Sequence, residues 1–552
     1  MNEAVPSAEQ RVRGYHERTK HGPDGYAAGP GHLDWATQPE PFRWWDDAPA
    51  VDLPLASGTV RTSYAELWQP AAVPARALDE TSLAAFLELS LGLAAWKSHG
   101  GERWALRVNP SSGNLHPTEA YLVLGAVAGV PPGVYHYQSR DHRLERRCTP
   151  GADVAGRMPR GGFLVGLSGI HWREAWKYGE RAWRYCLLDA GHAAAALAFA
   201  AAALGWRARV LAGPADDDVA LLLGLARTAD FADAEREEPE ALLWIDAGPP
   251  DTPVSAPSAS AVAELARALV PGDWRGRANR LSAAHRHDWP VIGETAAAAR
   301  KPLTSEQPRT PAGLPALVGT SCGATTPELL RQRRSAQAYD GLARLPLAVL
   351  ARMLDATLPR AGAPFGALPW SPRVHLLLFV HRVEGLAPGL YVLPRRAGSG
   401  AGLRGLLGGD LAWEPAPGLP AHVPLRLVER GDAQEVARLV SCQQEIAGDG
   451  AFAVAMPAEY AAALTAGPWW YRRLLLEAGM IGQVLYLEAE AAGLRGTGIG
   501  CFFDDVVHAM LGVTGGVLQD VYHFAVGGPV ADRRLATHAP YEHLAGRRVV
   551  GG

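Results

Sequence analysis

A weak internal repeat is the feature that most constrains what this chain of 552 residues can fold into. Gly133-Val-Tyr-His-Tyr and Gly389-Leu-Tyr-Val-Leu each follow a proline, and Asp189-Ala-Gly-His and Glu477-Ala-Gly-Met each lie in a long apolar stretch. The second pair of matches is further apart along the chain than the first pair, which predicts an insertion near residues 398–410. Repetition on this scale predicts an α+β unit present twice in tandem.

Each half has the pattern of a strand, a hairpin, a long buried helix and a further strand. Residues 120–127 and 373–383 are apolar runs of strand length, whereas 182–204 and 471–492 have helical length and few breakers. A helix that is apolar on all sides needs an apolar partner, so we expect these two helices to pack on each other, as in a symmetric dimer. We therefore predict an intramolecular pseudo-dimer, in which a site between subunits is built from both halves.

Two segments rich in proline, serine and threonine, 249–260 and 301–315, are typical of linkers. They divide the chain into four predicted regions. These are an N-terminal extension (1–70), a first domain (71–250), a linker with a short helical segment (251–324) and a second domain (325–552).

Composition excludes several classes of function. The chain has 53 basic and 57 acidic residues, which makes nucleic acid an unexpected partner. Its five cysteines are odd in number and form no Cys-x-x-Cys pair, so we expect neither a disulfide framework nor a zinc site. The charged N-terminus does not resemble a signal peptide, and the longest apolar run, 193–206, is too short to span a bilayer. We expect a cytoplasmic protein with no bound metal and no membrane segment.

The stretch "RVNPSSGNLHPTEAYLV" (107–123) sets short polar side chains between two prolines, directly before an apolar strand. The residues of interest are Pro110, Ser111, Ser112 and Asn114. Short hydrogen-bonding side chains beside a glycine let a backbone approach a flat polar ligand closely. The alternative is an ordinary turn.

A cluster of arginines opens the second half. Thr326-Pro327-Glu328 predicts a helix start, and the helix runs into Arg331, Arg333, Arg334 and Ser335. Guanidinium groups bind phosphate oxygens in a bidentate manner, so this cluster suits a phosphate. A solvated basic helix end is the alternative. A second pair, Arg533 and Arg534, follows an apolar strand near the C-terminus.

The segment "GLRGTGIGCFFDD" alternates glycine with other residues, including Gly498 and Gly500 around Ile499. It lacks the spacing and βαβ context of a dinucleotide fingerprint. Such glycines permit close approach of a planar ligand, and a bulged strand is the alternative. The nearby Cys501, Asp504, Asp505 and His508 could be read as metal ligands, but aspartates beside a helix start are more often caps. Ser321 in "GTSCG" matches the Gly-x-Ser-x-Gly motif of the nucleophile elbow in hydrolases. The motif here lacks the preceding strand and the following helix that such an elbow needs.

A polar stripe enters the first long helix. At 100° per residue, Tyr178, Arg181, Tyr185, Asp189 and His192 fall within one arc. Buried polar groups must be paired, so these side chains either satisfy one another or face a ligand cavity.

Lys177 and Tyr178 are the candidate catalytic residues. Trp172, Trp176 and Trp183 flank the pair in sequence, and we expect them to desolvate the lysine so that it can act as a general base. The alternative is an exposed ladder of ion pairs that joins Lys177 to Glu174 and Glu180.

Taken together, these motifs resemble the FMN-dependent nitroreductase superfamily, in particular its SagB-type (thiazole/oxazole dehydrogenase-like) branch, arranged as a tandem nitroreductase-domain protein. The resemblance covers about residues 10–250 and 325–540. It is carried by "NPSSGNLHPTEAYLV", "EAWKYGERAWRY", "RRSAQAYD", "SCQQEIAGDGAFAVAM", "GTGIGCFFDDVVHAMLG" and "VYHFAVGGPVADRRL".

This resemblance implies that FMN binds at the interface between the two domains. The residues it assigns to the phosphate are Arg333, Arg334 and Ser335, joined by Arg533 or Arg534. Those it assigns to the flavin ring are Pro110, Ser111, Ser112 and Asn114 on one side and Gly498, Ile499 and Gly500 on the other. Only one site is complete, because the first half has no Arg-x-Ser segment and "LPWSP" replaces the serine loop in the second half.

The resemblance also implies a reaction. A Lys-Tyr pair is functional in peptide azoline dehydrogenases of this branch, and Lys177 and Tyr178 match it. We expect an FMN-dependent dehydrogenase or oxidase that acts on an azoline or an amino-acid-derived bond, in a small molecule or a peptide, during natural-product biosynthesis. An NAD(P)H-dependent nitro or quinone reductase and a flavin-free scaffold remain the alternatives. A carrier or precursor-peptide-binding partner and a further homodimer are compatible with the resemblance.

Overall fold

The computed structural model describes residues 6–69, 71–249, 251–305, 309, 311, 313–317, 322–408 and 410–545. The α-helices of this part are α1 (Ala8–Arg18), α2 (Glu80–Ser90), α3 (Ala152–Ala155), α4 (His171–Tyr178), α5 (Ala182–Ala203), α6 (Asp216–Leu223), α7 (Thr228–Phe231), α8 (Ala259–Leu269), α9 (Pro290–Ala298), α10 (Thr326–Gln332), α11 (Leu347–Ala356), α12 (Gly400–Leu406), α13 (Gln434–Val440), α14 (Glu445–Asp449), α15 (Tyr460–Leu464), α16 (Trp470–Ala491) and α17 (Asp504–Met510).

The strands are β1 (Trp45–Asp46), β2 (Ala50–Asp52), β3 (Leu93–His99), β4 (Glu102–Arg107), β5 (Thr118–Leu124), β6 (Gly133–Gln138), β7 (Arg143–Thr149), β8 (Gly162–Gly169), β9 (Arg207–Val210), β10 (Glu238–Asp246), β11 (Asp273–Trp274), β12 (Arg277–Ala278), β13 (Leu345–Pro346), β14 (Leu376–Val380), β15 (Val383–Glu384), β16 (Gly389–Leu393), β17 (Glu414–Pro415), β18 (Arg426–Arg430), β19 (Phe452–Ala458), β20 (Arg495–Ile499), β21 (Gln519–Gly527) and β22 (Ala536–His538).

Two antiparallel sheets with the same strand order form the framework. The first sheet runs β11-β7-β6-β5-β8-β10-β9, with β2 also paired to β7, and the second runs β17-β18-β16-β14-β19-β21-β20. The central pairs have related registers, such as Leu122 opposite Val165 and Leu378 opposite Val454. Where a short turn (139–142) joins β6 to β7, residues 394–425 join β16 to β18 and contain α12. The insertion therefore lies where the sequence predicts it.

The two long helices pack on each other. Alanine and leucine give α5 and α16 high helix propensity, and both are buried over almost their whole length. They cross at a reciprocal glycine contact: a Cβ added at Gly191 would lie 2.2 Å from the Leu476 carbonyl, and one added at Gly479 would lie 2.1 Å from the Leu188 carbonyl. Only glycine permits this approach of the two backbones, so substitution by alanine at either position would force the helices apart.

The two halves also exchange segments. The C-terminal strand β22 pairs with β3 of the first half, so that Thr537 lies opposite Lys97. The turn before α10 pairs with the first half through a bridge between Ser63 and Thr325. Thr325, not Thr326, caps α10, because its hydroxyl accepts the Glu328 N–H in a capping box.

The N-terminal segment lies against the start of α5. Tyr15 donates a hydrogen bond from its hydroxyl to the Glu180 carbonyl at 2.8 Å, and the Glu180 N–H donates to the Ala28 carbonyl at 3.0 Å. Gly179, with φ +56°, leaves room for the backbone of Ala28 and Gly29. The segment therefore covers the junction of α4 and α5 and does not merely wrap a distant surface.

The interdomain region is more ordered than a linker. Helix α8 packs on α6, and β11 extends the first sheet at its β7 edge, with Asp273 opposite Thr149. Residues 306–308, 310, 312 and 318–321, including Ser321, lie outside the described part of the chain.

One helical stretch, His171–Ala203, is long and apolar enough to cross a membrane by length and composition. Inside the protein, 94% of its most apolar window is buried. The core helix of a globular domain has the same properties, and α5 occupies that position here.

Candidate active site

The serine loop rests on the polar stripe of α5. The N–H of Ser112 donates to the Asp189 carboxylate at 3.1 Å, and the Ser112 hydroxyl donates to it at 3.0 Å. Burial raises the pKa of Asp189 to about 7, against the lowering effect of the hydrogen bonds from the two serines. Asp189 therefore anchors the loop and can exchange a proton near neutral pH.

The same loop touches the two candidate catalytic residues. Gly113 has φ +58°, and a Cβ added there would lie 2.6 Å from the Tyr178 hydroxyl and 3.1 Å from Lys177 Nζ. The Lys177 ammonium lies 5.2 Å from the centre of the Tyr178 ring. Glycine is required both by the left-handed backbone and by this contact. The structure thus brings the loop and the Lys-Tyr pair together.

The surroundings of Lys177 differ from the prediction. The flanking tryptophans pack elsewhere: Trp172 stacks on His285 at 4.0 Å, and Trp183 stacks on Tyr471 at 5.4 Å. Lys177 is half-buried, so the tryptophans do not enclose its ammonium group. Within the described residues it also forms no ion pair with Glu180, which pairs instead with Arg18 at 2.5 Å.

Glu174 is fully buried one helical turn before Tyr178. Neither of its carboxylate oxygens has a hydrogen-bond partner among the described residues. Burial, followed by the nearby Asp189, raises the pKa of Glu174 well above its usual range. The exposed ion-pair ladder of Glu174, Lys177 and Glu180 is therefore not formed.

The remaining stripe residues bind the second half. Arg181 donates to the Gly500 carbonyl at 3.2 Å and the Tyr185 hydroxyl donates to the same carbonyl at 3.2 Å. His192 Nε2 lies 3.1 Å from the Tyr522 hydroxyl, and burial lowers the His192 pKa to about 3. Arg181, Tyr185 and His192 thus have partners across the interface, an arrangement that neither alternative drawn from the sequence includes.

Arg333 of the second half reaches the loop of the first half. It is buried, and its guanidinium donates to the carbonyls of Val108 at 3.0 Å and Arg107 at 3.3 Å. The group lies over the Tyr486 ring at 4.9 Å. Because Val108 precedes the serine loop, donors from both halves converge at one end of the α5–α16 contact.

Ser335 and the glycine strand β20 are neighbours. Ser335 pairs with Gly496 in a parallel bridge, and its hydroxyl lies 2.8 Å from the Tyr486 hydroxyl. The Gly498 N–H donates to that same Tyr486 oxygen at 2.9 Å. The Arg-Arg-Ser segment and the glycine segment therefore form one continuous surface.

A cluster of cations with little counter-charge lies beside this surface. Arg334 donates to the carbonyls of Arg331, Arg333 and Ala94, and burial together with the charge of Arg333 lowers its pKa to about 10. Burial, Arg334 and Arg495 lower the pKa of Lys97. Glu490 is the carboxylate that these arginines approach, and Arg495 pairs with it at 3.5 Å.

This excess of positive charge fits a phosphate group. Neighbouring cations contribute to lowering the pKa of Arg333, Arg334 and Lys97, and a phosphate dianion would relieve that repulsion. Asn109, beside the loop, carries a buried side-chain oxygen with no donor among the described residues. An unfilled acceptor of this kind fits the N–H edge of a planar heterocycle.

The glycines of β20 leave room for tyrosines. A Cβ added at Gly498 would lie 1.8 Å from the Tyr522 hydroxyl, and one added at Gly500 would lie 2.2 Å from the Tyr185 ring. Ile499 is buried in the core of the second half. At these two positions the absence of a side chain therefore makes room for tyrosines.

Other predicted site residues have local partners. Asn114 donates its amide to the Ala105 carbonyl at 2.9 Å, and the Ser111 hydroxyl accepts the His116 N–H at 2.7 Å. Pro110 is buried at the start of the loop. Arg533 and Arg534 are exposed, and Arg534 pairs with Asp532 at 2.8 Å. No contact among the described residues joins these two arginines to Arg333 or Ser335.

Several residues of this surface escaped sequence analysis. Tyr486 and Tyr522 lie in apolar elements and give no polar signal, whereas Lys97 is a single cation in the otherwise apolar start of β3. Arg495 directly precedes the glycine alternation and could have been noticed there. Lys97 comes from the first half, so the cation cluster, like the loop, draws on both halves.

Comparison with known proteins agrees with this architecture. Residues 73–232 match the family described as "Nitroreductase family". A stretch of 109 residues is 35% identical to the trifolitoxin-processing protein TfxB of Rhizobium leguminosarum bv. trifolii, and covers 17% of this chain and 29% of that protein. The chain thus spans under a third of the length of this curated relative.

One solved structure shows the same fold over almost the whole chain. A putative nitroreductase from Anabaena variabilis matches with a TM-score of 0.62 and 22% identity, over 94% of this chain and 99% of that one. A chain of the E. coli microcin synthetase McbBCD complex with truncated pro-MccB17 matches at a TM-score of 0.27 and 17% identity, over 36% of this chain and 70% of that one. Residues 73–232 therefore match the nitroreductase family model, and the chain as a whole shares the fold of the Anabaena protein.

Proposed function

We propose that this protein is an FMN-dependent oxidoreductase whose two tandem nitroreductase-like domains, 71–250 and 325–552, form an intramolecular pseudo-dimer. The reciprocal contact of Gly191 and Gly479 supports this arrangement. Each glycine faces, in the other half, the carbonyl of the residue three positions before the other glycine. The shared strand order of the two sheets supports it as well. A single chain then supplies both sides of a site that lies between subunits.

One observation carries the proposal: groups from both halves converge at one end of the α5–α16 contact. The first half contributes the Ser112 loop with Lys177 and Tyr178, and the second contributes the buried Arg333, whose guanidinium donates to Val108 at 3.0 Å. A ligand with an anionic tail and a planar polar head matches this pairing of chemistries. FMN is such a ligand.

Arg333, Arg334 and Ser335 would hold the FMN phosphate, joined by Arg533 or Arg534, and Lys97 and Arg495 would add positive charge. The residues that would line the ring are Pro110, Ser111, Ser112 and Asn114 of the loop and Gly498, Ile499 and Gly500 at the end of β20. When bound, FMN supplies a two-electron acceptor, with dioxygen as the final oxidant.

The reaction is dehydrogenation of an azoline or an amino-acid-derived C–N or C–C bond. Lys177 Nζ takes the proton from the substrate carbon, and Tyr178, in contact with Gly113, orients the substrate or relays charge. Asp189 holds the Ser112 loop in place. The likeness to a protein named for trifolitoxin processing supports a peptide substrate and a peptide-binding partner in natural-product biosynthesis. The mostly buried apolar helix is compatible with a cytoplasmic protein.

The cofactor is tested first. Purified protein should be yellow and release FMN on denaturation, with one FMN per chain. A colourless protein that takes up no FMN when it is added would favour the scaffold alternative.

Catalysis is tested with Lys177→Ala. The variant should keep its FMN spectrum and lose dehydrogenation by about 100-fold or more, the usual contribution of a positioned base. Lys20→Ala, which removes a half-buried lysine paired with Glu17 and Asp505, is the matched control. Unchanged turnover of Lys177→Ala would exclude the residue as the base. Steady-state NAD(P)H oxidation with a nitroaromatic, together with no activity on azolines, would favour the reductase alternative.

A further inference from the structure

Two cysteines that the proposed reaction does not use lie in contact beside the candidate site. The sulfur atoms of Cys442 and Cys501 are 2.7 Å apart, although the residues are far apart in sequence. Cys501 directly follows Gly500, whose carbonyl accepts hydrogen bonds from Arg181 and Tyr185. Sulfur atoms at this separation need little movement to reach the length of a disulfide, about 2.05 Å.

The local backbone holds the two cysteines close together. Cys442 and Gln443 follow α13 and have φ +55° and +58°, a left-handed conformation that is unfavourable for residues with a side chain. The Gln444 side-chain amide donates to the Cys501 carbonyl at 3.0 Å and so ties this turn to the end of β20. Strained turns that are held by their surroundings are typical of functional positions.

The two thiols are chemically unequal. The hydrogen bond from Cys442 lowers the pKa of Cys501 to about 5, helped by His21 and Arg181 and against the effect of burial. The same contact raises the pKa of Cys442. These shifts favour Cys501 as the thiolate of the pair, and both side chains are half-buried, not sealed in the core.

We propose that Cys442 and Cys501 form an oxidisable pair, in which Cys501 reacts with a hydroperoxide and Cys442 closes a disulfide. With hydrogen peroxide, the Cys501 thiolate attacks one oxygen, the O–O bond breaks, and one proton is taken up to give a sulfenic acid and water. The Cys442 sulfur then attacks the Cys501 sulfur, and the S–OH bond breaks to release a second water. Two thiols and one peroxide thus give one disulfide and two waters.

Oxidation acts on the neighbouring tyrosines. The pKa of Tyr178 is raised by burial first, then by Glu174, Tyr185 and Asp189, and also by Cys501. Disulfide formation removes the Cys501 charge and so makes Tyr178 easier to ionise. This consequence rests on the proposed catalytic role of Tyr178, whereas the disulfide itself does not.

Full-length protein, first reduced and freed of reductant, is treated with a small excess of hydrogen peroxide and then alkylated. Two of the five thiols should be lost, a peptide linking Cys442 to Cys501 should appear by mass spectrometry, and a dithiol reductant should reverse both changes. Cys322, which is half-buried, and the buried Cys148 and Cys186 serve as internal reference thiols. Because the peroxide is added, the result does not depend on turnover or on FMN.

The variant Cys442→Ser separates the two steps. It should form no disulfide and should accumulate a sulfenic acid at Cys501 that a dimedone-type reagent traps. Cys322→Ser is the matched control and should behave as the parent protein. Should Cys442→Ser fail to fold, the peptide map of the parent protein decides alone. Retention of both thiols, or their loss at the rate of Cys322 without a linked peptide, would overturn the proposal.

Discussion

At one end of the contact between α5 and α16, Asp189 accepts hydrogen bonds from the backbone and the hydroxyl of Ser112. At the other end, Glu477 accepts the backbone N–H of Arg373 at 3.0 Å and also the guanidinium of Arg395 at 2.5 Å. Asp189 has no ion pair among the described residues. The two carboxylates occupy equivalent positions in the repeat, yet only Glu477 is neutralised within the protein.

The cations follow the opposite pattern. At the Ser112 end, Arg334 and Lys97 approach other cations more closely than carboxylates. At the other end, Arg472 pairs with Asp216 and with Glu240 at 3.4 Å. Trp370 and Trp469 fill the space there, so a cavity of about 60 Å³ remains, whereas ligand pockets measure roughly 300–1,000 Å³. Under the proposed function, the protein would bind its ligand only at the Ser112 end, where Arg334 and Lys97 have no carboxylate partner among the described residues.

The largest effect that we predict is a loss of stability when Glu477, the neutralised carboxylate, loses its arginine partner. Arg395→Met leaves the buried Glu477 without its cation, and we expect a loss of about 3–5 kcal/mol in the free energy of unfolding. Urea unfolding followed by fluorescence measures it. The matched control is Arg430→Met, because the Arg430–Glu414 pair is exposed and worth at most about 1 kcal/mol. Equal effects of the two changes would remove the contrast between the ends.

Asp189 should make the free energy of unfolding depend on pH in the opposite direction to a carboxylate that is paired with a cation. Its folded-state pKa is raised by burial to about 7 from a usual 3.8, so between these values the unfolded chain ionises first and stability falls as pH rises. Below pH 3.8 the contribution vanishes, and above pH 7 the loss is complete, at up to about 4 kcal/mol.

The variant Asp189→Asn tests this dependence. Unfolding midpoints measured from pH 4 to pH 8 should decline less steeply in the variant than in the parent protein, because asparagine cannot ionise. Asp217→Asn, at an exposed carboxyl, should leave the parent slope unchanged. A slope that steepens in Asp189→Asn would mean that the aspartate is ionised and paired in the folded state.

Removal of one unpaired cation should weaken FMN binding. Arg334→Ala deletes a guanidinium whose described partners are backbone carbonyls, and we expect the dissociation constant for FMN to rise about 10- to 100-fold. Flavin fluorescence quenching on titration of the apoprotein measures it. Arg473→Ala, at the Trp370 end, is the matched control and should change neither the affinity nor the ratio of one FMN per chain.

Periodicity and punctuation predict much of the fold. The boundaries of α5 and α16 lie within one residue of the expected ranges, and the insertion lies between equivalent strands. These features are local properties of the chain. The pairing of β22 with β3 escaped prediction because it joins the C-terminus to the first half through backbone hydrogen bonds that any sequence can make.

The site is predicted less completely than the fold. The loop of Ser112 and the position of Arg333 follow from polar residues in unusual runs, and the structure brings both to the helix interface. The burial of Glu174 and the exposure of Lys177 depend on how α4 is rotated against the N-terminal segment. Helical spacing gives the relative angle of two side chains but not the direction in which the helix faces.

The smallest effect concerns the C-terminal arginines, which the resemblance assigns to the phosphate. Arg534 is exposed and already bound to Asp532 at 2.8 Å, so Arg534→Ala should change the FMN dissociation constant by less than about two-fold. Arg533→Ala is the informative comparison, because Arg533 is exposed and has no carboxylate partner among the described residues. A larger loss for Arg534→Ala than for Arg533→Ala would show that the Asp532 pair opens when FMN binds. Arg534, near the C-terminus, would then belong to the group of cations at the Ser112 end.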